Sequence, residues 1–383
     1  MDISSEYNDN IYGRKMKEED VINRISPGIT LKMPAYHKEL MLNYQAGFEF
    51  YVKNSHENTV THNLSGEANY QPTERLTLKL TEAYVRSRNL YQVDIYGIRR
   101  ERIPYWQNRL NPQLNYQFGE RDNLLLGYQY NIFRYTETGY ETENSDEHTF
   151  NMSLNHGLTK TGLLNLNYIY TYGKFPYYWG KLKGHTINIG YNWLLSPHTT
   201  IMTIGTYERR HYSLVFDYET YQILFGIERQ FSQRLSATLQ GGYFIYHPEI
   251  GENIKGFSGN ATVSYNYEYS QLTFRAEKGY TEMLFTVLNL GFNTYWQLSL
   301  DLTHTFTPHW SGQVGGSYRR SKYPYLSAKD RYWTGYIGID WSPIKWCRGR
   351  LEYRHEDLNS TGFYESYNIN RIMLSFHFVY FRR

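Results

Sequence analysis

The sequence predicts an all-β protein, a transmembrane antiparallel up-and-down β-barrel of about 20 strands, with 18 strands as the second choice. Three observations predict it. Apolar and polar residues alternate along most of the 383-residue chain. The alternating stretches run about 9–12 residues, the length that a tilted strand needs to cross a bilayer, whereas strands of soluble sheets average about five to six. Short turns also alternate with longer polar stretches, which is typical of outer-membrane barrels.

The composition excludes several other classes of protein. The chain has 40 Lys and Arg against 37 Asp and Glu and a net charge of +3 without a basic block, so nucleic acid is not an expected partner. No apolar run approaches the ~18 residues of a transmembrane helix. Aromatic residues make up 18 %, which argues against disorder. One cysteine excludes a disulfide framework and a Cys-rich metal site.

The alternation defines two faces for each predicted strand. It is strict in Thr186–Trp193, Asn260–Tyr269 and Arg371–Tyr380. The polar face carries charge in the middle of the strands, which suits a wet lumen rather than the packed core of a soluble sandwich. We predict that these charged residues line the lumen: Lys32, Glu49, Glu67, Lys79, Arg109, Glu228, Arg275, Glu277, Asp301, Asp340, Arg350, Glu352 and Arg354.

Turn signals give the strand count. Nine short turns are predicted at Pro34–Glu39, Gln71–Arg75, Gly119–Asp122, Thr159–Gly162, Ser196–Thr199, Ser232–Arg234, Tyr269–Gln271, Thr307–Trp310 and Ser342–Trp346. They join eighteen strands, and a first strand near Asp2–Asn8 and a last one near Arg371–Phe381 bring the count to about twenty. We expect short turns on the periplasmic side, longer loops on the extracellular side, and one barrel domain over residues 1–383.

Aromatic residues cluster where strands meet turns. A periplasmic girdle is predicted from Tyr70, Phe118, Trp193, Tyr269, Trp310, Trp341 and Trp346. A second, outer girdle is predicted from Tyr51, Tyr84, Tyr135, Tyr172, Tyr212, Tyr246, Tyr280 and Tyr318. High strand propensity of tyrosine accounts for part of this pattern.

The chain ends are consistent with the bacterial outer membrane. No charged-then-apolar leader follows Met1, so we expect that a signal peptide has been removed. The segment Leu374–Phe381 is aromatic at alternate positions and resembles the C-terminal insertion signal of outer-membrane barrels, although Arg382 and Arg383 follow it.

Two segments near the amino end carry a family resemblance. Glu6–Tyr12 is an acidic, Asn-rich strand end, and Ile25–Met33 is a strand that opens with Ser-Pro-Gly. Together they resemble the putative β-barrel porin 2 family. Leu40–Tyr51 and Gln71–Leu80 resemble the same family in the spacing of their strand and turn residues. The resemblance implies an outer-membrane barrel associated with exopolysaccharide export.

A barrel of about twenty strands has a backbone diameter on the order of 40 Å, so that side chains alone cannot fill it. We therefore predict a channel, narrowed by Met283–Phe292 if that unusually apolar loop folds inward. The inward amides, which include Asn115, Asn155 and Asn167, suit a hydrated, nearly neutral polymer or merely line a wet pore. Three arginine pairs are predicted near the outer rim, where they bind an anionic polymer or lipopolysaccharide phosphates, or are solvated: Arg99-Arg100, Arg209-Arg210 and Arg319-Arg320.

Three functions remain open: an exopolysaccharide export pore, a passive diffusion porin for small hydrophilic solutes, and a structural sleeve for a surface cytochrome or fibre. The expected partners are outer-membrane lipid and lipopolysaccharide, the polysaccharide or small solutes, and periplasmic export proteins. The 13 His are scattered and no placed nucleophile is recognisable, so we expect neither an enzyme nor a cofactor or metal site.

Overall fold

The computed structural model describes residues 1–88, 102–139, 144–175, 180–213, 216–282, 292–362 and 365–379. Their fold is almost entirely antiparallel sheet. The strands are β1 Asp2–Asn8, β2 Asp20–Ser26, β3 Gly28–Ala35, β4 Lys38–Tyr51, β5 Thr59–Thr73, β6 Leu76–Ser87, β7 Tyr105–Gln117, β8 Asn123–Tyr135, β9 Ser145–Gly157, β10 Gly162–Phe175, β11 Gly180–Ser196, β12 Thr199–Tyr212, β13 Tyr218–Gln230, β14 Leu235–Pro248, β15 Ile254–Tyr267, β16 Ser270–Glu282, β17 Phe292–Thr307, β18 Trp310–Tyr323, β19 Ala328–Ile344, β20 Cys347–Ser360 and β21 Tyr367–Phe378.

These segments occupy twenty positions in the barrel, because β2 and β3 form one strand that is interrupted at Pro27. The neighbouring β4 pairs with β2 near Ile22 and with β3 near Gly28. Proline has no N–H to donate to the ladder, but its carbonyl accepts a hydrogen bond from the Ala46 N–H at 3.0 Å. The predicted count of twenty is therefore confirmed.

The barrel closes between its first and last strands. β1 pairs antiparallel with β21 from Asp2, opposite His377, to Asn8, opposite Arg371. The amino group of Met1 also donates a hydrogen bond to the carbonyl of Phe378 at 2.8 Å. An even number of positions lets the two terminal strands run antiparallel, so their pairing joins the two edges of the sheet.

The two ends of the barrel differ. Nine short connections lie at the end where Met1 and Phe378 meet, and we call it the turn end; they comprise residues 36–37, 74–75, 118–122, 158–161, 197–198, 231–234, 268–269, 308–309 and 345–346. All nine fall on the predicted turn positions. The longer connections lie at the opposite end, which we call the loop end. In outer-membrane barrels short turns face the periplasm.

The strands alternate between an exterior and an interior face. On β11 the apolar side chains of Ile187, Ile189 and Trp193 are 40 %, 53 % and 42 % exposed. The opposite face lines the interior, because the sheet closes on itself through the pairing of β1 with β21.

Helical structure is scarce in the described part of the chain. Short 3-10 turns occur at Ser55–Glu57 and Pro324–Leu326. Within the described ranges no helix has both the length and the apolar character that crossing a membrane would require.

Candidate functional site: the barrel interior

The strand register places the predicted charged residues on the interior face. Along its strand each alternates with residues of the outward face, as Asp301 does with Leu300 and Leu302. The set so placed is Lys32, Glu49, Glu67, Lys79, Arg109, Glu228, Arg275, Glu277, Asp301, Asp340, Arg350, Glu352 and Arg354.

Some of these residues form ion pairs between neighbouring strands. The Lys79 Nζ lies 3.0 Å from the Glu67 Oε1, which also accepts a hydrogen bond from the Asn69 amide. The Arg275 guanidinium lies 3.8 Å from the Asp301 carboxylate. Each such pair neutralises itself on the interior wall.

A larger cluster spans β19 and β20. Arg350 pairs with Asp340 at 3.6 Å and with Glu352, and Arg354 lies 3.0 Å from Glu352. Two cations and two carboxylates thus balance. Within the described residues no ion pair joins the remaining predicted members to one another: Lys32, Glu49, Arg109, Glu228 and Glu277.

The interior side chains are exposed near the turn end and covered near the loop end, and we call the covered region the closure. Near the turn end the interior-facing Lys32, Glu228 and Asn266 are exposed. Near the loop end the interior side chains are buried all round the wall. The most deeply buried, at 0 or 1 %, are Asp20, Ile22, Leu182, Thr220, Asn293, Ser321, Asp330 and Ile369.

Aromatic residues form part of this closure. One cluster joins Leu182, Tyr212, Tyr218, Phe244, Tyr246 and Phe292. A second joins Ile103 to Tyr105, Phe133 and Tyr135, and a third joins Ile11, Ile22 and Tyr51. Ile11 and Ile103 belong to connections between strands and pack against interior side chains of the wall, so the described parts of these two connections turn inward.

Contacts between different connections hold the closure together. The Tyr325 hydroxyl donates a hydrogen bond to the Glu252 carbonyl at 3.1 Å. The Lys15 N–H donates to the Glu365 carboxylate at 3.0 Å, and the Tyr12 hydroxyl donates to Glu57 at 3.0 Å. We call this assembly of inward-bent connections the roof.

A buried charge network anchors the roof to the wall. The Arg102 side chain is 5 % exposed and lies 3.7 Å from Glu49 on β4 and 3.6 Å from Glu57. Its guanidinium also lies over the Tyr51 ring, 4.6 Å from the centroid. Arg24 contacts Glu49 at 3.3 Å from the other side. Removing one partner from such a network is costly, because the remaining charge stays buried.

A second anchor joins the first connection to the last strand. The Asp9 carboxylate accepts hydrogen bonds from the N–H and the side-chain amide of Asn370, both at 2.7 Å, and pairs with Lys17 at 2.6 Å. Burial raises the pKa of Asp9, but these donors outweigh burial and hold it below its ordinary value. Burial, together with the bond to Glu57, raises the pKa of Tyr12 to about 12. Asp9 is thus held in its charged form, and Tyr12 in its neutral, donating form.

Interior amides form a hydrogen-bonded chain across four strands. The Asn167 amide donates to the Asn151 carbonyl at 2.7 Å, the Asn188 amide donates to Asn167 at 3.2 Å, and the Thr206 hydroxyl donates to Asn188 at 2.8 Å. Closer to the turn end, Asn155 donates to Asn123 at 2.9 Å and Asn123 donates to Asn115 at 3.1 Å. We call the two chains together the amide belt.

The second chain of the amide belt borders a cavity of about 410 Å³ at the turn end of β7–β10. Its lining is rich in amides and includes Gln117 and Asn165, together with Asp122 of the turn at residues 118–122. The Gly157 N–H, followed by His156, hydrogen-bonds the Asp122 carboxylate and keeps its pKa below the ordinary value.

The structure places the predicted periplasmic girdle at the turn end. Its members are 37 to 65 % exposed: Tyr70, Phe118, Trp193, Tyr269, Trp310, Trp341 and Trp346. Trp310 and Trp341 stack at 5.8 Å on neighbouring strands.

The predicted outer girdle is wrong for five of its eight members. Tyr51, Tyr135, Tyr212 and Tyr246 are buried at 3 to 8 % on the interior face, where they join the closure, and the partly buried Tyr280 packs against Phe244 and Phe292 of the same closure. The exterior face at the loop end instead presents tyrosine–histidine pairs. The hydroxyls of Tyr44, Tyr128 and Tyr168 hydrogen-bond the Nδ1 atoms of His62, His148 and His185 at 2.7 to 2.9 Å.

The predicted arginine pairs do not act as pairs. Arg210 and Arg319 are buried on the interior, at 6 % each, whereas Arg209 and Arg320 face outward. Successive side chains of a strand point to opposite faces, so two neighbours cannot share one rim site. Arg99-Arg100 and most of the Met283–Phe292 loop lie outside the described residues.

Sequence reasoning missed Arg24, Arg102 and three belt amides, Asn123, Asn151 and Asn188. The amides follow the same alternation as the predicted set and could have been found from it. Arg102 precedes β7 in a connection without periodicity, so nothing in the sequence indicates its burial. In the described residues no group of three or more His, Cys, Asp or Glu side chains could hold a metal ion.

Comparison with known proteins agrees with the barrel. A family model described as putative beta-barrel porin 2 matches residues 181–380. No curated protein sequence matches the chain.

Two solved structures show what the fold is similar to. The chain is similar to the FrpB iron transporter of Neisseria meningitidis, with a TM-score of 0.60, 9 % identity, and coverage of 98 % of this chain and 82 % of that one. It is also similar to the ferric enterobactin receptor of Pseudomonas aeruginosa, with a TM-score of 0.61, 9 % identity, and coverage of 98 % and 80 %. At this identity the similarity shows the fold alone.

Proposed function

The chain belongs to the putative beta-barrel porin 2 family, and from that premise we propose that it is an outer-membrane channel for export of an exopolysaccharide. The observation that carries the proposal is the amide belt. In this proposal residues 1–383 act as one barrel domain, and the interior charged residues named above line the path of the polymer.

The amide belt has spare hydrogen-bonding capacity. Each amide has two N–H donors and a carbonyl with two lone pairs. Within the belt, Asn167 and Asn188 each donate once and accept once. One donor and one acceptor position therefore remain on each residue for the hydroxyl groups of a sugar.

The wall charges favour a neutral polymer over a small ion. Glu67 pairs with Lys79, and Asp340, Arg350, Glu352 and Arg354 balance within one cluster. A wall of self-neutralised pairs gives weak selection by charge. A hydrated, neutral polymer can pass such a wall, because it binds through its hydroxyl groups and does not need a charged partner.

The asymmetric interior fits export better than passive diffusion. The turn end admits a polymer from the periplasm, whereas the roof closes the loop end at rest. A passive diffusion porin for small hydrophilic solutes needs an open path instead. In this proposal periplasmic export proteins deliver the chain, and the roof opens as the polymer arrives.

The amide belt is tested with a double variant. Asn167→Leu together with Asn188→Leu is expected to weaken the binding of a neutral oligosaccharide to the purified barrel by about tenfold, since each lost hydrogen bond contributes about 1 kcal/mol. Isothermal titration calorimetry with a defined maltodextrin measures the effect. The matched control, Ser5→Leu with Thr203→Leu, makes polar-to-leucine changes on the exterior face and is expected to leave binding unchanged.

Two results would contradict the proposal. One is equal oligosaccharide affinity in wild type and the belt variant. The other is a large, permanently open and unselective conductance of the wild type in planar bilayers, which would favour the diffusion porin. In cells, unchanged surface polysaccharide after deletion of the gene would also count against export.

A further inference from the structure

Four cations project outward at the loop end of β18 and β19. They are Arg320, Lys322, Lys329 and Arg331, which we call the cation patch. The register sets Arg320 directly opposite Arg331 and Lys322 directly opposite Lys329. In the same row Trp296 separates Arg320 from a further exterior cation, Lys278.

The patch lies outside the barrel. Three of its members are exposed and Arg320 is half-buried. The residues that alternate with them are buried on the interior face: Arg319, Ser321, Tyr323, Ala328 and Asp330.

Like charges directly opposite each other on a sheet are destabilising, and the chain does not relieve them. In the part of the protein that the structure describes, no carboxylate lies within ion-pair distance of any of the four. Asp357 lies opposite Trp333 rather than opposite the patch. The Arg320 Nε is buried and has no hydrogen-bond partner.

Two other exterior cations near the loop end have carboxylate partners. Arg134 lies 2.6 Å from Asp146, and Arg209 lies 3.7 Å from Glu219. The cation patch differs from both, because it sets four cations opposite one another in two rows without a carboxylate among them.

Toward the turn end, the surface next to the patch is first aromatic and then apolar, the order expected at a membrane interface and on the lipid-facing surface beyond it. Trp296 and Tyr318 pack at 5.0 Å, and Trp333 lies opposite Tyr318. Beyond them Gly316 and Gly335 face each other without side chains. Below this shallow trough lies an apolar stripe, 41 to 55 % exposed, that comprises Leu298, Leu300, Val314, Ile337 and Ile339.

We propose that the cation patch binds the phosphate groups of one lipopolysaccharide molecule, whose acyl chains lie along the trough and the apolar stripe. Two rows of cations, about 6.8 Å apart along the strands and about 4.8 Å apart across them, offer several donors to a multiply phosphorylated headgroup. Guanidinium groups bind phosphate oxygens in a bidentate manner. The adjoining apolar surface selects a lipid over free phosphate. The proposal is independent of what passes through the lumen.

The test is a quadruple variant, Arg320→Gln, Lys322→Gln, Lys329→Gln and Arg331→Gln, in the full-length barrel in detergent. Lipopolysaccharide binding, measured by native mass spectrometry, is expected to weaken by about 10²- to 10³-fold, since each of the four basic residues strengthens binding at an anionic lipid surface by about fivefold. Lipopolysaccharide should raise the Tm of the wild type but not that of the variant. The lipid-free variant should be no less stable than wild type, because like charges have been removed.

The matched control also removes two arginines and two lysines: Arg75→Gln, Lys160→Gln, Arg229→Gln and Lys345→Gln, all exposed near the turn end. It is expected to bind lipopolysaccharide like wild type. Wild-type binding by the quadruple variant would overturn the proposal. Displacement of the lipid by millimolar inorganic phosphate, or equal binding of phosphatidylglycerol vesicles, would overturn it in favour of a general anion site.

Discussion

Replacing Arg102 with methionine is expected to lower the free energy of unfolding by about 3 kcal/mol, because Glu49 and Glu57 would keep their charge in a buried site without this guanidinium. The side chains of Glu49 and Glu57 are 5 % and 7 % exposed. Arg24 and Arg88 remain near them, which holds the loss to the lower end of the range for broken buried pairs. Denaturant unfolding from lipid vesicles measures the change.

Because Arg102 joins the roof to β4, the same variant is also expected to open the loop end more often. Planar-bilayer recordings should then show more frequent conducting events than wild type. Arg75→Met, which removes an exposed guanidinium, is the control and is expected to change stability by less than about 0.5 kcal/mol. Adding Glu57→Gln to Arg102→Met should recover part of the stability. An Arg102→Met protein as stable and as closed as wild type would contradict the roles assigned to the network and the roof.

The substitution Ile189→Arg is expected to destabilise the barrel by about 2–4 kcal/mol in lipid, because this is the cost of a charge on the lipid face near the bilayer midplane. Ile189 lies in the middle of β11, on the exterior, and is 53 % exposed. The neighbouring Asn188 faces the interior, so Asn188→Arg is expected to cost less than about 1 kcal/mol.

These two variants introduce the same side chain at adjacent positions, which makes each the control for the other. Unfolding from vesicles, with the heat-modifiable electrophoretic mobility of folded barrels as a second measure, compares them directly. Equal destabilisation by the two substitutions, or a larger effect of Asn188→Arg, would mean that the two faces of β11 have been assigned the wrong way round.

The sequence was sufficient for the fold because a single periodicity of two determines it. The alternation in Thr186–Trp193 predicts the strand and its apolar face together, and the turn residues predict the nine short connections. The first hairpin follows the same rule. Its interruption at Pro27 splits one strand in two without changing the count.

The interior closure could not be predicted from the sequence. Near the loop end, tyrosines such as Tyr51 and Tyr246 occupy positions that the alternation assigns to the polar, interior face. They can lie there because inward-bent connections give them apolar neighbours. Ile11 and Ile103 lie in such connections, which have no period. The ion network of Arg102 depends on contacts between residues far apart in the chain, which no local pattern encodes.

The most direct test of the central claim, that the apolar face meets lipid and the polar face meets enclosed water, is thiol labelling along β11. Single cysteines at positions 186 to 193, in a Cys347→Ser background that removes the native thiol, are reconstituted in lipid vesicles and exposed to a small, charged maleimide. Labelling is predicted at positions 186, 188, 190 and 192 and absent at 187, 189, 191 and 193. Uniform labelling, or labelling of the odd positions alone, would contradict the claim.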